Sequence, residues 1–373
     1  MKTLPMNRAR LAVCAAAVAS SLVVALGGCV SASSSMKPNA AAPPPASSTG
    51  FVYSANEGAD SISRIDQATG RVMTLPLPVT PHNVQISRDG RRLFAVGAMA
   101  GQMKMSAPTG APAGDAHAAS KEPGGLVIFD ATASNVASAK LVPVGRAPAH
   151  VVVDGRGERA YVSNAEDDAV SVVDATRGVV VSSIATAASP HGLRMSPDGR
   201  EIYVAATQGN AVSVIDIATS REVTRIPVGK APVQVGFTPD GARVYVSLRD
   251  DNAVAVVDTT TRRLVTTIPV GRSPIQVFAT PDGNFVYVAN QGSEQEPDNT
   301  VSVIDTRRNV VVKTLTTDRG AHGVVVSDDG SRVFIANTFA GTVSTIDAAT
   351  QQVIGAVPVG AGPGGITYRP ASR

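Results

Sequence analysis

Short apolar runs broken by turn residues recur along most of the chain. In Ser189 to Gly229 they fall at Leu193 to Met195, Glu201 to Ala205, Ala211 to Ile215 and Glu222 to Val228. Pro197-Asp198-Gly199, Gln208-Gly209-Asn210 and Ala218-Thr219-Ser220 separate them. Runs of this length, rich in Val, Ile and Tyr and bounded by Gly, Pro, Asn and Asp, predict four strands joined by tight turns. One such sheet cannot bury both of its faces, so it needs neighbours. Repetition supplies them. Turn triplets of the same kind occur at Arg88-Asp89-Gly90, Gly155-Arg156-Gly157, Pro239-Asp240-Gly241, Pro281-Asp282-Gly283 and Asp328-Asp329-Gly330, and each third strand ends on an aspartate: Asp66, Asp130, Asp174, Asp216, Asp258, Asp305 and Asp347. A four-strand repeat of about 40–50 residues predicts an all-β, seven-bladed propeller of four-stranded antiparallel blades.

Seven aspartates are matched by only six turn triplets. The first repeat starts at Phe51-Val52-Tyr53, a second strand, whereas Gly365 to Pro370 reads as a first strand with no blade after it. The C-terminal strand is therefore expected to complete the N-terminal blade and close the ring, leaving no open sheet edge. The second strands read YSAN, FAVG, YVSN, YVAA, YVSL, YVAN and FIAN in turn. With these segments the chain resembles the YVTN-repeat family of bacterial seven-bladed propellers from Phe51 to Pro370. The resemblance implies a surface or periplasmic binding protein. Related propellers include lactonases and the copper domain of nitrous oxide reductase.

Lys2, Arg8 and Arg10 precede the apolar stretch Leu11 to Leu26, the pattern of an export signal over residues 1–28. Leu26-Gly27-Gly28-Cys29 resembles a bacterial lipobox, which makes Cys29 the expected lipidation site; ordinary cleavage after Val30-Ser31-Ala32 is the alternative. Residues 29–50, with Pro43-Pro44-Pro45 among Ala and Ser, have the composition of a disordered spacer ahead of the propeller at 51–373. These features place the protein in the cell envelope, anchored to the periplasmic face of the outer membrane or to the cell surface. Loss of the leader removes three basic residues from a chain with net charge +3, so net charge does not favour a nucleic-acid partner. Both cysteines, Cys14 and Cys29, belong to the export signal, so no disulfide is available and a monomer held by packing alone is expected.

Candidate chemistry gathers on one rim. His82, His150, His191 and His322 open the inner strands, and the linkers place Arg146, Lys230, Arg272 and Arg319 at matching positions. Arg249 and the inner-strand residues Asn83, Gln234 and Gln276 add hydrogen-bonding groups there. Two insertions, between Gly97 and Gly125 and between Asn290 and Thr300, emerge on the same rim because both link a second to a third strand, and insertions in repeat folds commonly map to the binding face. His82, His191 and His322 share one register, eight residues before the glycine of their turn. His150 sits one residue out of register, so strand alternation predicts that it points elsewhere. Metal candidates are thus His82, His191 and His322, with Met99, Met103, Met105 and His117 in the first insertion as soft or imidazole ligands.

The recurring aspartates are expected to accept backbone N–H bonds in the adjoining turns, and Asn56, Asn164, Asn290 and Asn337 to bond locally. No Gly-x-Ser-x-Gly elbow, His-Glu-x-x-His or phosphate-binding glycine loop occurs. The leading expectation is non-enzymatic binding of a small ligand or an envelope protein at the channel face, without a resident cofactor. Two alternatives stand beside it. One is a lactonase-type hydrolase or lyase using His191 or His322 as base; the other is a copper- or metal-binding protein using the rim histidines and the Met-rich loop.

Overall fold

A computed structural model describes residues 49–101 and 122–371. These residues form seven four-stranded antiparallel sheets. Blade 1 pairs the C-terminal strand Pro363–Pro370 with Gly50–Asn56, followed by Ser61–Asp66 and Val72–Pro76. Phe51 lies opposite Arg369 and Tyr53 opposite Thr367, so the expected closure is present. The inner strands of blades 2 to 7 are Val79–Ile86, Pro148–Val153, Pro190–Met195, Pro232–Phe237, Pro274–Ala279 and Ala321–Val326. Each neighbours the next around a ring that returns to Pro363–Pro370. No helix among the described residues is long and apolar enough to cross a membrane.

The core consists of inter-blade layers. Tyr203, Val212 and Val214 of blade 4 pack on Val235, Val244 and Val246 of blade 5. The closing seam does the same with Phe334 and Val343 of blade 7 against Val52, Ile366 and Tyr368 of blade 1. Burial of this kind is the main term favouring the ring, and it is distributed over every seam.

The recurring polar residues hold the hairpins, as expected. Asp66 Oδ1 accepts from the backbone N–H groups of Ala68 and Thr69, and Asp174, Asp258 and Asp305 act likewise in their own turns. Asn56, Asn164, Asn290 and Asn337 donate to Ser63, Ser171, Ser302 and Ser344 of the neighbouring strand. The insertion after Asn290 is partly a hairpin extension, since Phe285–Gly292 and Pro297–Asp305 carry the ladder outward to a Gly292–Pro297 pair.

Candidate functional site

Every inner strand carries a register shift just after its first residues. In blade 3, Pro148 pairs with Asn164 but Val151 with Val162, so Ala149 and His150 together oppose Ser163. Blade 4 does the same with His191 and Gly192. Before four of these strands, Ala147, Ser189, Ala231 and Ser273 hold left-handed conformations, with φ of 46°, 56°, 46° and 46°. Such a bulge bends the strand and re-aims its side chains. Ser163 secures it: the hydroxyl accepts from the His150 N–H at 3.0 Å and donates to the His191 carbonyl of the next blade at 2.5 Å.

The bulge overturns the expectation for His150. Two consecutive side chains now reach the axis, so a residue one place out of register still joins the cluster. His82, His150 and His191 are all buried, and one coordinating nitrogen from each lies within 4.8 Å of the others. Their ring centroids are 5.4 Å (82–150), 5.2 Å (82–191) and 4.9 Å (150–191) apart, and His322 lies 6.1 Å from His82.

Three of the four imidazoles have a polar neighbour behind them. A carboxylate oxygen of Glu57, from the turn Glu57–Ala59 of blade 1, lies 3.4 Å from His82 Nδ1. The Val233 carbonyl lies 3.1 Å from His191 Nδ1. Gln234 reaches His150 Nδ1 with its amide nitrogen at 3.3 Å while its oxygen accepts from Val235 N–H at 2.9 Å. That reach spans blade 4 and depends on Gly192, where a methyl group would stand 2.4 Å from the Val233 carbonyl and 2.5 Å from Gln234 Oε1. His150 Nε2 and both ring nitrogens of His322 have no hydrogen-bond partner among the described residues.

Burial keeps His150 and His322 neutral. Desolvation, reinforced by His191, His82 and Arg194, holds His150 well below the usual histidine value. Desolvation, aided by His82 and opposed by Glu57, brings His322 down to about 3. Neutral imidazoles offer lone pairs at pH 7.

The other candidates separate from the cluster. Asn83 Oδ1 and Gln276 Oε1 accept from Val151 and Val324 N–H of the following blades, so these amides staple neighbouring blades. Arg146 pairs with Asp167 at 2.6 Å, Arg272 with Glu296 at 2.9 Å and Arg249 with Asp250 at 2.9 Å. Lys230 and Arg319 are exposed. Met99 packs against the blade 1–2 core beside Leu77 and Val79 and is no part of the histidine cluster. Met103, Met105, His117 and Cys29 lie outside the described residues. A cavity of about 630 Å³ opens on the same rim, bounded by Glu166, Ser189, His191, Lys230, Arg249 and Asp250, so it abuts one ring of the cluster.

Two participants escaped sequence reasoning. Glu57 lies in another repeat, and nothing local in the sequence links it to His82. Arg194 stood inside a run read as apolar, Leu193 to Met195, and that break in pattern was the available signal.

The fold and its axial histidines define a seven-bladed β-propeller with a polar channel mouth. A family model described as YNCE-like beta-propeller matches residues 135–371, and the chain belongs to that family. A search of curated proteins finds no match. Among solved structures the chain is similar to the Kuenenia stuttgartiensis hydrazine synthase, with 22% identity, TM-score 0.63, and 78% of this chain and 96% of that one covered. It is also similar to a functionally unknown protein from Desulfotomaculum acetoxidans at 16% identity and TM-score 0.68, covering 87% and 100%. A putative 6-phosphogluconolactonase from Bacteroides uniformis matches at 14% identity and TM-score 0.66, covering 86% and 99%. At these identities the likeness is one of fold.

Proposed function

We propose that this protein is an exported, lipid-anchored binding propeller that works without catalysis and takes a late first-row transition metal, copper or zinc, at its channel mouth. The observation that carries this reading is the convergence of three buried histidines, with candidate ligand nitrogens mutually within 4.8 Å and a fourth ring beside them. A tetrahedral ion with nitrogen ligands at about 2.0–2.1 Å needs ligand atoms about 3.3 Å apart, which modest ring rotation supplies. Imidazole suits both ions. The Glu57 carboxylate behind His82 and the Val233 carbonyl behind His191 are the outer partners that orient such ligands. Anchoring through Cys29 would hold this mouth within the envelope.

The test is equilibrium dialysis and calorimetry of the EDTA-stripped full chain with Zn(II) and, under reductant, Cu(I). One equivalent per chain is expected, weakened at least 100-fold in His150→Ala and in His191→Ala. Binding that is absent, or unchanged in both variants, refutes the assignment. The Glu57–His82 pair favours a second reading, general-base hydrolysis in the same channel. A lactone-hydrolysis activity lost in Glu57→Gln and in His82→Ala, but independent of metal, would select it.

A further inference from the structure

Beyond the bulge the inner strands continue down the axis, and alternation returns the second residue after Gly192 to the channel side. That residue is Arg194 of blade 4. Its guanidinium passes blade 5, where the corresponding residue is Gly236, and lies over the Phe278 ring of blade 6 at 5.6 Å. It is enclosed deeply enough for desolvation to bring its pKa down to about 10, and no neighbouring charge offsets that cost. Among the described residues no carboxylate or other acceptor takes a hydrogen bond or ion pair from this side chain. Arg194 is half-buried and keeps access to the channel, whereas the almost wholly buried Arg332 meets Asp347 at 2.6 Å. A cation drawn partly out of water over an aromatic face, with no carboxylate beside it, favours an opposite charge that can reach it through the channel.

We infer that the central channel holds a small inorganic or carboxylate anion against Arg194, directly beside the histidine cluster. The class is a planar or tetrahedral oxyanion, because the guanidinium presents its N–H edges in a fork matched to such oxygens while Phe278 covers one face. This rests on the reading of the channel as a ligand site and deepens it. A metal ion at the histidines adds positive charge near Arg194, and an anion between them balances it. Metal and anion are therefore expected to bind cooperatively.

The experiment uses the full chain, stripped with EDTA in low-salt buffer, titrated with sodium nitrate, formate and phosphate by calorimetry and by melting. At least one anion binds with saturation at one per chain and raises Tm. Arg194→Gln weakens that binding more than tenfold, Arg194→Lys retains part of it, and Arg200→Gln, on an exposed turn, leaves it intact. Without added anion, Arg194→Gln melts at or above the wild type, since it removes an uncompensated charge; this readout also shows that the variant folds. No saturable binding, or equal binding by Arg194→Gln, overturns the inference. The titration contains no metal, so its failure is separate from failure of the metal assignment. If both hold, the bound anion tightens metal binding in the wild type and not in Arg194→Gln.

Discussion

Acidifying the metal-free protein from pH 7.5 to 5.0 tests the buried neutral state of His150 and His322. An unfolded histidine titrates near 6.5, whereas His322 in the fold titrates at about 3 and His150 well below its usual value. Between these limits the unfolded chain takes up protons that the folded chain refuses. Stability is therefore complete above pH 6.5 and is lost as the pH falls toward 3. At pH 5 the loss for His322 is about 1.5 pH units at 1.36 kcal/mol each, or about 2 kcal/mol. His150, also held below its usual value by burial, adds to this loss in the same direction, and the His322 contribution alone is a sizeable part of a typical folding free energy of about 5–15 kcal/mol.

The turn aspartates do not obscure this window. Asp89, Asp198 and Asp240 are held below the usual carboxylate range by Ser87, Ser196 and Thr238, so their contribution is lost only below about pH 4. Urea unfolding of the EDTA-treated chain at pH 7.5, 6.5, 5.5 and 5.0 provides the assay. It is followed by far-ultraviolet circular dichroism and tyrosine fluorescence, since the chain contains no tryptophan. Near pH 5 unfolding should take up protons, and the double variant His150→Gln/His322→Gln should remove most of the slope. A wild type whose stability is flat from pH 7.5 to 5.0, or a double variant with the same slope, refutes the reasoning.

Removing residues 364–373 takes away the strand that pairs with Gly50–Asn56 and exposes Val52 and the blade 7 surface around Phe334; Tm should fall by more than about 10 °C, and an unchanged Tm would rule out closure by this strand. Gly192→Ala places a methyl group against the Val233 carbonyl and Gln234 Oε1, which should cost about 1–3 kcal/mol and weaken metal binding about 10- to 100-fold; wild-type affinity would show that Gln234 does not position His150. Gln234→Glu offers an acceptor to His150 Nδ1–H and so favours Nε2 as ligand; it should tighten metal binding about tenfold at pH 7, and weaker binding would contradict that orientation. Asp258→Ala removes the acceptor of the Thr261 N–H and hydroxyl in an exposed turn and should lower the urea midpoint slightly with the m-value unchanged; an unchanged midpoint would show that this turn contributes nothing measurable.

The architecture was legible because each blade must solve the same local problem, and the same residues solve it each time. Aspartates at the ends of third strands and asparagines at the ends of second strands hold their hairpins as strand and turn chemistry predicts, and the missing first strand before Phe51 pointed to closure by Ile366–Tyr368. The site was only partly legible. Strand alternation placed His150 away from the axis because a period of two assumes an unbroken ladder, and a bulge that recurs in every inner strand breaks it at the position that matters. Glu57 could not be linked to His82 because that pairing depends on blade 1 standing beside blade 2 at the closed seam. The rim cations were legible only as a recurring position in the linkers. Their salt bridges, such as Arg146 with Asp167, show that several serve to order loops.

The most direct measurement is an anomalous-difference map from crystals of the full chain soaked with Zn(II) and recorded at the zinc edge. The expected result is one strong peak on the channel axis within about 2.0–2.2 Å of a ring nitrogen from each of His82, His150 and His191. A channel without anomalous density, while zinc occupies surface carboxylates, would contradict the central claim.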